Sequence, residues 1–147
     1  MWYLLENYST DVTIQSLVNN TEMFFVPCLN PDGYMYNQLI APNGGGMWRK
    51  NRRDNLDGEF GVDLNRNYDY FWGFDDTGSS PLTSDETYRG TTPFSEPETQ
   101  AISNFSIAHE FKYALNYHTY GNHLVQPFGY IPDLYPADSA QYSIYGN

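Results

Sequence analysis

The residues of this chain best suited to chemistry lie in Gly61-Val62-Asp63-Leu64-Asn65-Arg66-Asn67. This segment sets a guanidinium among carboxamides and an aspartate, inside a chain of net charge -11. A guanidinium held by neighbouring amides presents a planar fork that can meet a carboxylate at two points. One reading of Asn65 and Arg66 is therefore recognition of a free carboxylate. The other is a structural ion pair between Arg66 and Asp63 or Asp69. A second cationic group lies upstream. Of the 7 Lys and Arg, Arg49, Lys50, Arg52 and Arg53 form one short run directly after Trp48. That run reads either as a solvated loop offsetting local acidity, or as a holder that aims one arginine at a developing oxyanion. In the second reading Trp48 packs the loop down.

The 3 histidines differ in promise. His118 ends a predicted strand and precedes Thr119-Tyr120-Gly121, which sets its imidazole at a strand's carboxyl edge. In open α/β sheets that edge is where ligands bind. His109, late in a predicted helix, is expected to face solvent, and His123 to pack or point outward. A zinc site needs about three such ligands, and the chain contains no His-x-x-Glu or His-x-x-x-His.

Alternating helices and strands must position these groups, which favours an α/β class. Trp2–Tyr8 and Asp11–Val18 read as helices, the second capped by Asp11. Glu22–Leu29 reads as a buried strand ended by turn chemistry at Asn30-Pro31-Asp32-Gly33. Residues 42–47 are a loop, and 75–93 a long irregular stretch of the kind that lines sites. A further helix is signalled by Ser95 as N-cap, Pro97 in its first turn and Glu98 completing a capping box. Ala101, Ile102, Phe105 and Ala108 form its apolar stripe. Lys112–His118 reads as a strand with Tyr113, Leu115 and Tyr117 on one face, and Leu124–Phe128 as another.

Composition bounds the function. At 147 residues the chain suits one domain, and 40% hydrophobic content argues against disorder. The acidic balance argues against a nucleic-acid partner, which needs a basic face. No apolar run approaches the roughly 20 residues that span a bilayer. The single cysteine, Cys28, cannot form an internal disulfide. Aromatics at 18%, with 14 Tyr, fit a rigid surface that touches sugars or peptides. Met1–Glu6 lacks the basic region and cleavage site of a signal peptide.

Taken in order, Asn30-Pro31-Asp32-Gly33, Trp48-Arg49-Lys50-Asn51-Arg52, Gly61–Asn67, Ser84-Asp85-Glu86-Thr87-Tyr88-Arg89-Gly90 and Asn116-Tyr117-His118-Thr119-Tyr120 form a recognisable series. From about Asp11 to Tyr130 the chain resembles the zinc metallocarboxypeptidases of the M14 family, of the bacterial carboxypeptidase T type. The resemblance implies an α/β fold with a mixed sheet flanked by helices, carboxypeptidase-like (phosphorylase/hydrolase-like), of which this chain holds part. It implies zinc as cofactor and a peptide or protein C-terminus as substrate. His118 would be one zinc ligand. Arg49 would be the catalytic arginine that polarises the scissile carbonyl and stabilises its oxyanion. Asn65 and Arg66 would grip the substrate's terminal carboxylate, and Tyr120 would line the cleft. Non-proline cis peptides are implied at Thr119–Tyr120 and Pro127–Phe128.

By the same resemblance, the other zinc ligands belong to a His-x-x-Glu segment before Trp2, and the general-base glutamate lies beyond Asn147. Residues 1–147 are therefore expected to be a partial catalytic domain, inactive alone and a poor zinc binder, and either a self-associated oligomer that buries the uncovered faces or a marginally stable monomer. The resemblance also implies an extracellular or periplasmic protein with no membrane partner. Two further readings stand beside the enzyme. One is a non-catalytic peptide- or carboxylate-binding homologue or truncated fragment; the other is an aromatic-rich carbohydrate binder, which leaves Asn65 and Arg66 unexplained.

Overall fold

A computed structural model describes residues 1–119 and 121–145. Its regular elements are helices: α1 (Trp2–Asn7), α2 (Val12–Asn20), α3 (Pro31–Ile40), a 3-10 turn (Leu64–Arg66), α4 (Pro97–His109) and α5 (Ser139–Tyr145). α1 and α2 pack on each other. Asp11 caps α2 as expected, its carboxylate accepting from Thr13 N at 2.8 Å and Ile14 N at 3.2 Å. Tyr8 Oη donates to Asn19 Oδ1 at 2.8 Å and ties the two helices together.

Several local expectations give way. Asn30-Pro31-Asp32-Gly33 is not a turn but the start of α3. Asn30 is the N-cap, accepting from Gly33 N at 2.9 Å, Pro31 fills the first turn and Asp32 adds an acidic group there. Asn, Pro and Asp serve helix starts as well as turns, because Asn and Asp offer an acceptor to the unpaired N–H groups of the first turn and Pro has no N–H to leave unpaired. Ser95 is not the N-cap of α4. Glu96 holds that position without a side-chain cap bond, and Ser95 Oγ donates to Glu96 Oε1 at 2.7 Å. Within the expected stripe, Ile102 and Phe105 are half-buried while Ala101 and Ala108 are exposed.

The segments 22–29, 112–118 and 124–128 carry no strand ladder. A strand exists only through pairing with a neighbour, and the described residues hold just two isolated bridges, Asp54 with Phe60 and Ser80 with Tyr88. Phe24, Phe25 and Val26, expected in a core, are largely exposed. Phe24 does meet the end of α4, edge-on to Phe105 at 5.2 Å and to His109 at 4.8 Å. His109 is exposed, as its helix position implied. Pro127–Phe128 is cis, and Thr119–Tyr120 lies outside the described residues.

Buried side chains concentrate between residues 48 and 99. Val62, Leu64 and Tyr88 form the apolar centre, surrounded by buried Lys50, Asn51, Asp63, Asn67, Glu96 and Thr99. Elsewhere the apolar side chains of the described residues are half-buried or exposed. The accessible surface is 11481 Å² for a chain of 17.0 kDa, whereas a compact monomer of that mass exposes about 7,700 Å².

Candidate substrate-binding site

Asp63 organises the segment that carries Asn65 and Arg66. Its backbone N donates to Tyr88 O at 2.8 Å and its carbonyl accepts from Arg66 N at 2.8 Å. Its Oδ1 accepts from Asn65 N at 3.1 Å. These bonds cap and close the Leu64–Arg66 turn, so that Leu64 goes inward and Asn65 outward. Gly61 permits the approach. Its φ is +82°, and a Cβ there would strike the Asn51 carbonyl oxygen.

The second carboxylate oxygen, Asp63 Oδ2, pairs with Arg49 Nη2 at 2.8 Å. The contact is ionic rather than an aligned hydrogen bond, for Oδ2 finds no partner of hydrogen-bond geometry. Burial raises the Asp63 pKa, and the nearby charges of Arg49 and Arg66 oppose that rise. Both guanidiniums therefore act on one buried carboxylate. Arg66 takes part in none of the three ion pairs among the described residues, so the structural pair with Asp63 or Asp69 is not formed. Its Nε donates to Gly78 O at 2.5 Å and its Nη1 to Asn65 O at 3.0 Å. Backbone carbonyls orient this guanidinium without neutralising it.

The basic run is not a solvated loop. Trp48 is pinned by the Asn37 amide, which donates to Trp48 O at 2.7 Å and accepts from Trp48 N at 2.9 Å. Lys50 is buried, donates Nζ to Thr83 O at 2.8 Å, and has its pKa lowered chiefly by burial. Arg53 pairs with Glu96 at 2.7 Å. Arg52 lies against the rings of Tyr36 (3.8 Å), Trp48 (4.6 Å) and Phe60 (4.8 Å). It has no carboxylate partner among the described residues. The sequence reading did not single it out. The aromatic side chains on which it rests lie at Tyr36, Trp48 and Phe60, too far apart in the chain for spacing to reveal.

Beneath the turn lies a polar hub that sequence reasoning also missed. Glu96 accepts from Arg53 Nη1, Ser95 Oγ and Asn51 Nδ2, each at 2.7 Å. Asn51 Oδ1 accepts from Val62 N at 2.8 Å. Asn67, next to Arg66, joins the same hub through both ends of its amide.

The remaining expected site residues are not gathered here. His118 is exposed, in a segment without regular structure, and makes no hydrogen bond, ring contact or ion pair with the Arg49–Asp63–Arg66 group. Among the described residues no three His, Cys, Asp or Glu side chains stand where they could hold a metal ion. His118 alone does not make a zinc site. Tyr120 lies outside the described residues. A cavity of about 360 Å³ opens beside Trp48, Arg49, Lys50 and Glu59, but Asn65 and Arg66 do not line it.

Comparison with known proteins gives this geometry a family. Carboxypeptidase O of Bos taurus is 38% identical over 130 residues, covering 86% of this chain and 33% of that protein. A zinc carboxypeptidase of Simulium vittatum is 37% identical over 133 residues, covering 87% of this chain and 42% of that one. The crystal structure of thrombin activatable fibrinolysis inhibitor superposes with a TM-score of 0.80 at 29% identity, over 98% of this chain and 35% of that chain. The carboxypeptidase-like α/β fold thus holds, although the described residues form no strand ladder of its sheet. The chain spans about a third of the length of carboxypeptidase O. Residues 1–146 match the model of the zinc carboxypeptidases, Peptidase_M14, and with these relatives in hand the chain belongs to that zinc-dependent family.

Proposed function

We propose that the protein carrying this chain removes C-terminal residues from peptides, and that this chain supplies the grip on the terminal carboxylate. The carrying observation is the Asp63-capped turn. It turns Asn65 outward and leaves the Arg66 guanidinium bonded to carbonyls, with its charge in no ion pair among the described residues. A peptide carboxylate is the natural complement of that pair, and anchoring it fixes the last peptide bond for attack.

Arg49, the oxyanion arginine by resemblance, shares its charge with Asp63. Arg52 has no such carboxylate and is the alternative donor, a reading favoured by its aromatic seat. His118 would be one zinc ligand, and Tyr120 would contribute to the cleft wall. Further ligands and the general base would come from residues other than those described. Residues 1–147 would then be part of a catalytic domain, in an extracellular or periplasmic protein.

The test is hydrolysis of N-benzoyl-glycyl-phenylalanine by a zinc-supplemented domain containing this chain with flanking sequence at both ends, beside the chain alone. Release of phenylalanine by the longer protein only is expected. Arg66→Ala should raise KM, while replacing the true oxyanion arginine, Arg49 or Arg52, should lower kcat by about 10²–10³-fold. Failure of the longer protein to release C-terminal residues would overturn the proposal. Hydrolysis by the short chain would overturn the view that it is partial. A non-catalytic homologue would bind the peptide and leave it intact.

A further inference from the structure

We infer that Asn67 is a positioning residue, which locks the Asn65–Arg66 turn onto the start of α4 and thereby sets the orientation of the carboxylate grip. This rests on the proposed function and extends it to a residue that would never touch substrate.

Asn67 is fully buried. Its Nδ2 donates towards Arg89 O at 2.9 Å, Thr92 O at 3.0 Å and Ser95 Oγ at 2.9 Å. Its Oδ1 accepts from Glu96 N at 3.2 Å and from Thr99 Oγ1 at 2.7 Å. The backbone carbonyl accepts from Phe94 N at 2.7 Å, and the backbone N donates to Leu64 O at 3.3 Å. Every donor and acceptor of this residue is used.

The turn is therefore held at both ends. Asp63 fixes its entry through Tyr88 and Arg49, and Asn67 fixes its exit through α4 and the loop before it. Between them Asn65 is exposed, and Arg66 is steadied by two carbonyls, one of which belongs to its own neighbour. A bidentate guanidinium–carboxylate contact tolerates only about 10–20° of misalignment. Rotation of the turn about its exit by more than that would misalign the fork, whereas a ligand contact that does not use the fork has no such requirement.

Aspartate in place of Asn67 keeps the shape but sets an oxygen against three acceptors. Thr99→Val removes one donor to Oδ1, and Thr99→Ser keeps it. The measurement is the dissociation constant of N-benzoyl-glycyl-phenylalanine and of its C-terminal amide, by NMR titration of the full chain and each variant. Their ratio reports the grip, and the amide alone reports general integrity.

For the unaltered chain the acid should bind at least about tenfold more tightly than the amide, the worth of one charge-assisted contact. Asn67→Asp should bring the ratio to within about twofold of unity, with amide binding unchanged. Thr99→Val should lower the ratio at least about threefold, and Thr99→Ser should preserve it. If Asn67→Asp does not fold, the two Thr99 variants decide. A ratio unchanged in Asn67→Asp and Thr99→Val, or acid and amide binding weakened equally, would leave Asn67 a purely structural residue and overturn the inference. A ratio near unity in the unaltered chain would instead overturn the proposed carboxylate grip, and this inference with it.

Discussion

Arg53→Met should destabilise the chain more than Glu96→Gln, even though both break the same ion pair. Glu96 is 1% exposed, whereas the Arg53 side chain is 37% exposed. Without Arg53, Glu96 remains a buried anion facing only the neutral donors Ser95 Oγ and Asn51 Nδ2. Breaking a buried pair in this way costs about 3–5 kcal/mol, and the exposure of Arg53 puts this case near the lower end, about 3 kcal/mol. Glu96→Gln keeps the volume and lets the guanidinium turn to water. It loses charge-assisted bonds and sets an amide donor against existing donors, which costs about 1–2 kcal/mol. The assay is urea unfolding at neutral pH, with the slope compared between variants so that midpoints convert to stability. A Glu96→Gln cost equal to or above that of Arg53→Met would refute the reasoning. So would both falling within about 0.5 kcal/mol of the unaltered chain, the ordinary range of surface substitutions.

Gly61→Ala should cost at least about 1 kcal/mol more than Gly58→Ala. Both glycines have positive φ, but only at Gly61 does a Cβ meet the Asn51 carbonyl; urea midpoints of the two variants give the difference. For pH, burial raises the Asp63 pKa above 3.8, so the folded chain holds a proton that the unfolded chain releases. The resulting stability is present below 3.8 and declines as pH rises through the folded pKa. Relative to Asp63→Asn, the unaltered chain should lose stability across that window, and a flat or rising difference would contradict the assigned burial effect. Light scattering at micromolar concentration should give a mass above 17.0 kDa, since so much apolar surface is uncovered. A compact monomer would contradict the solvent exposure found for α1, α3 and residues 24–26.

What the sequence made legible was local. Asp11 caps α2 because its carboxylate reaches only two and three residues ahead. The same local chemistry misled at Asn30, where turn and helix-start signals coincide. Ser95 departs from the N-cap role for another reason: its hydroxyl is drawn away by Asn67 and Glu96, and one of these is distant in the chain. The apolar segments 22–29 and 112–118 have strand composition, but a ladder depends on partners that periodicity within a segment cannot supply. α5 follows Asp138, a start signal, yet no apolar stripe drew attention to it. Motif order in the sequence singles out Arg49, Asn65 and Arg66. The Asn67–Glu96–Asn51 hub, built almost wholly from long-range side-chain bonds, left no pattern to read.

The central claim is that Asn65 and Arg66 recognise a peptide's free C-terminal carboxylate. Its most direct test is calorimetric titration of the chain and of Arg66→Ala with N-benzoyl-glycyl-phenylalanine and its amide. A preference for the acid of about tenfold or more is expected, abolished in Arg66→Ala with amide binding unchanged. Equal affinity for acid and amide, or a preference that survives the loss of Arg66, would contradict it.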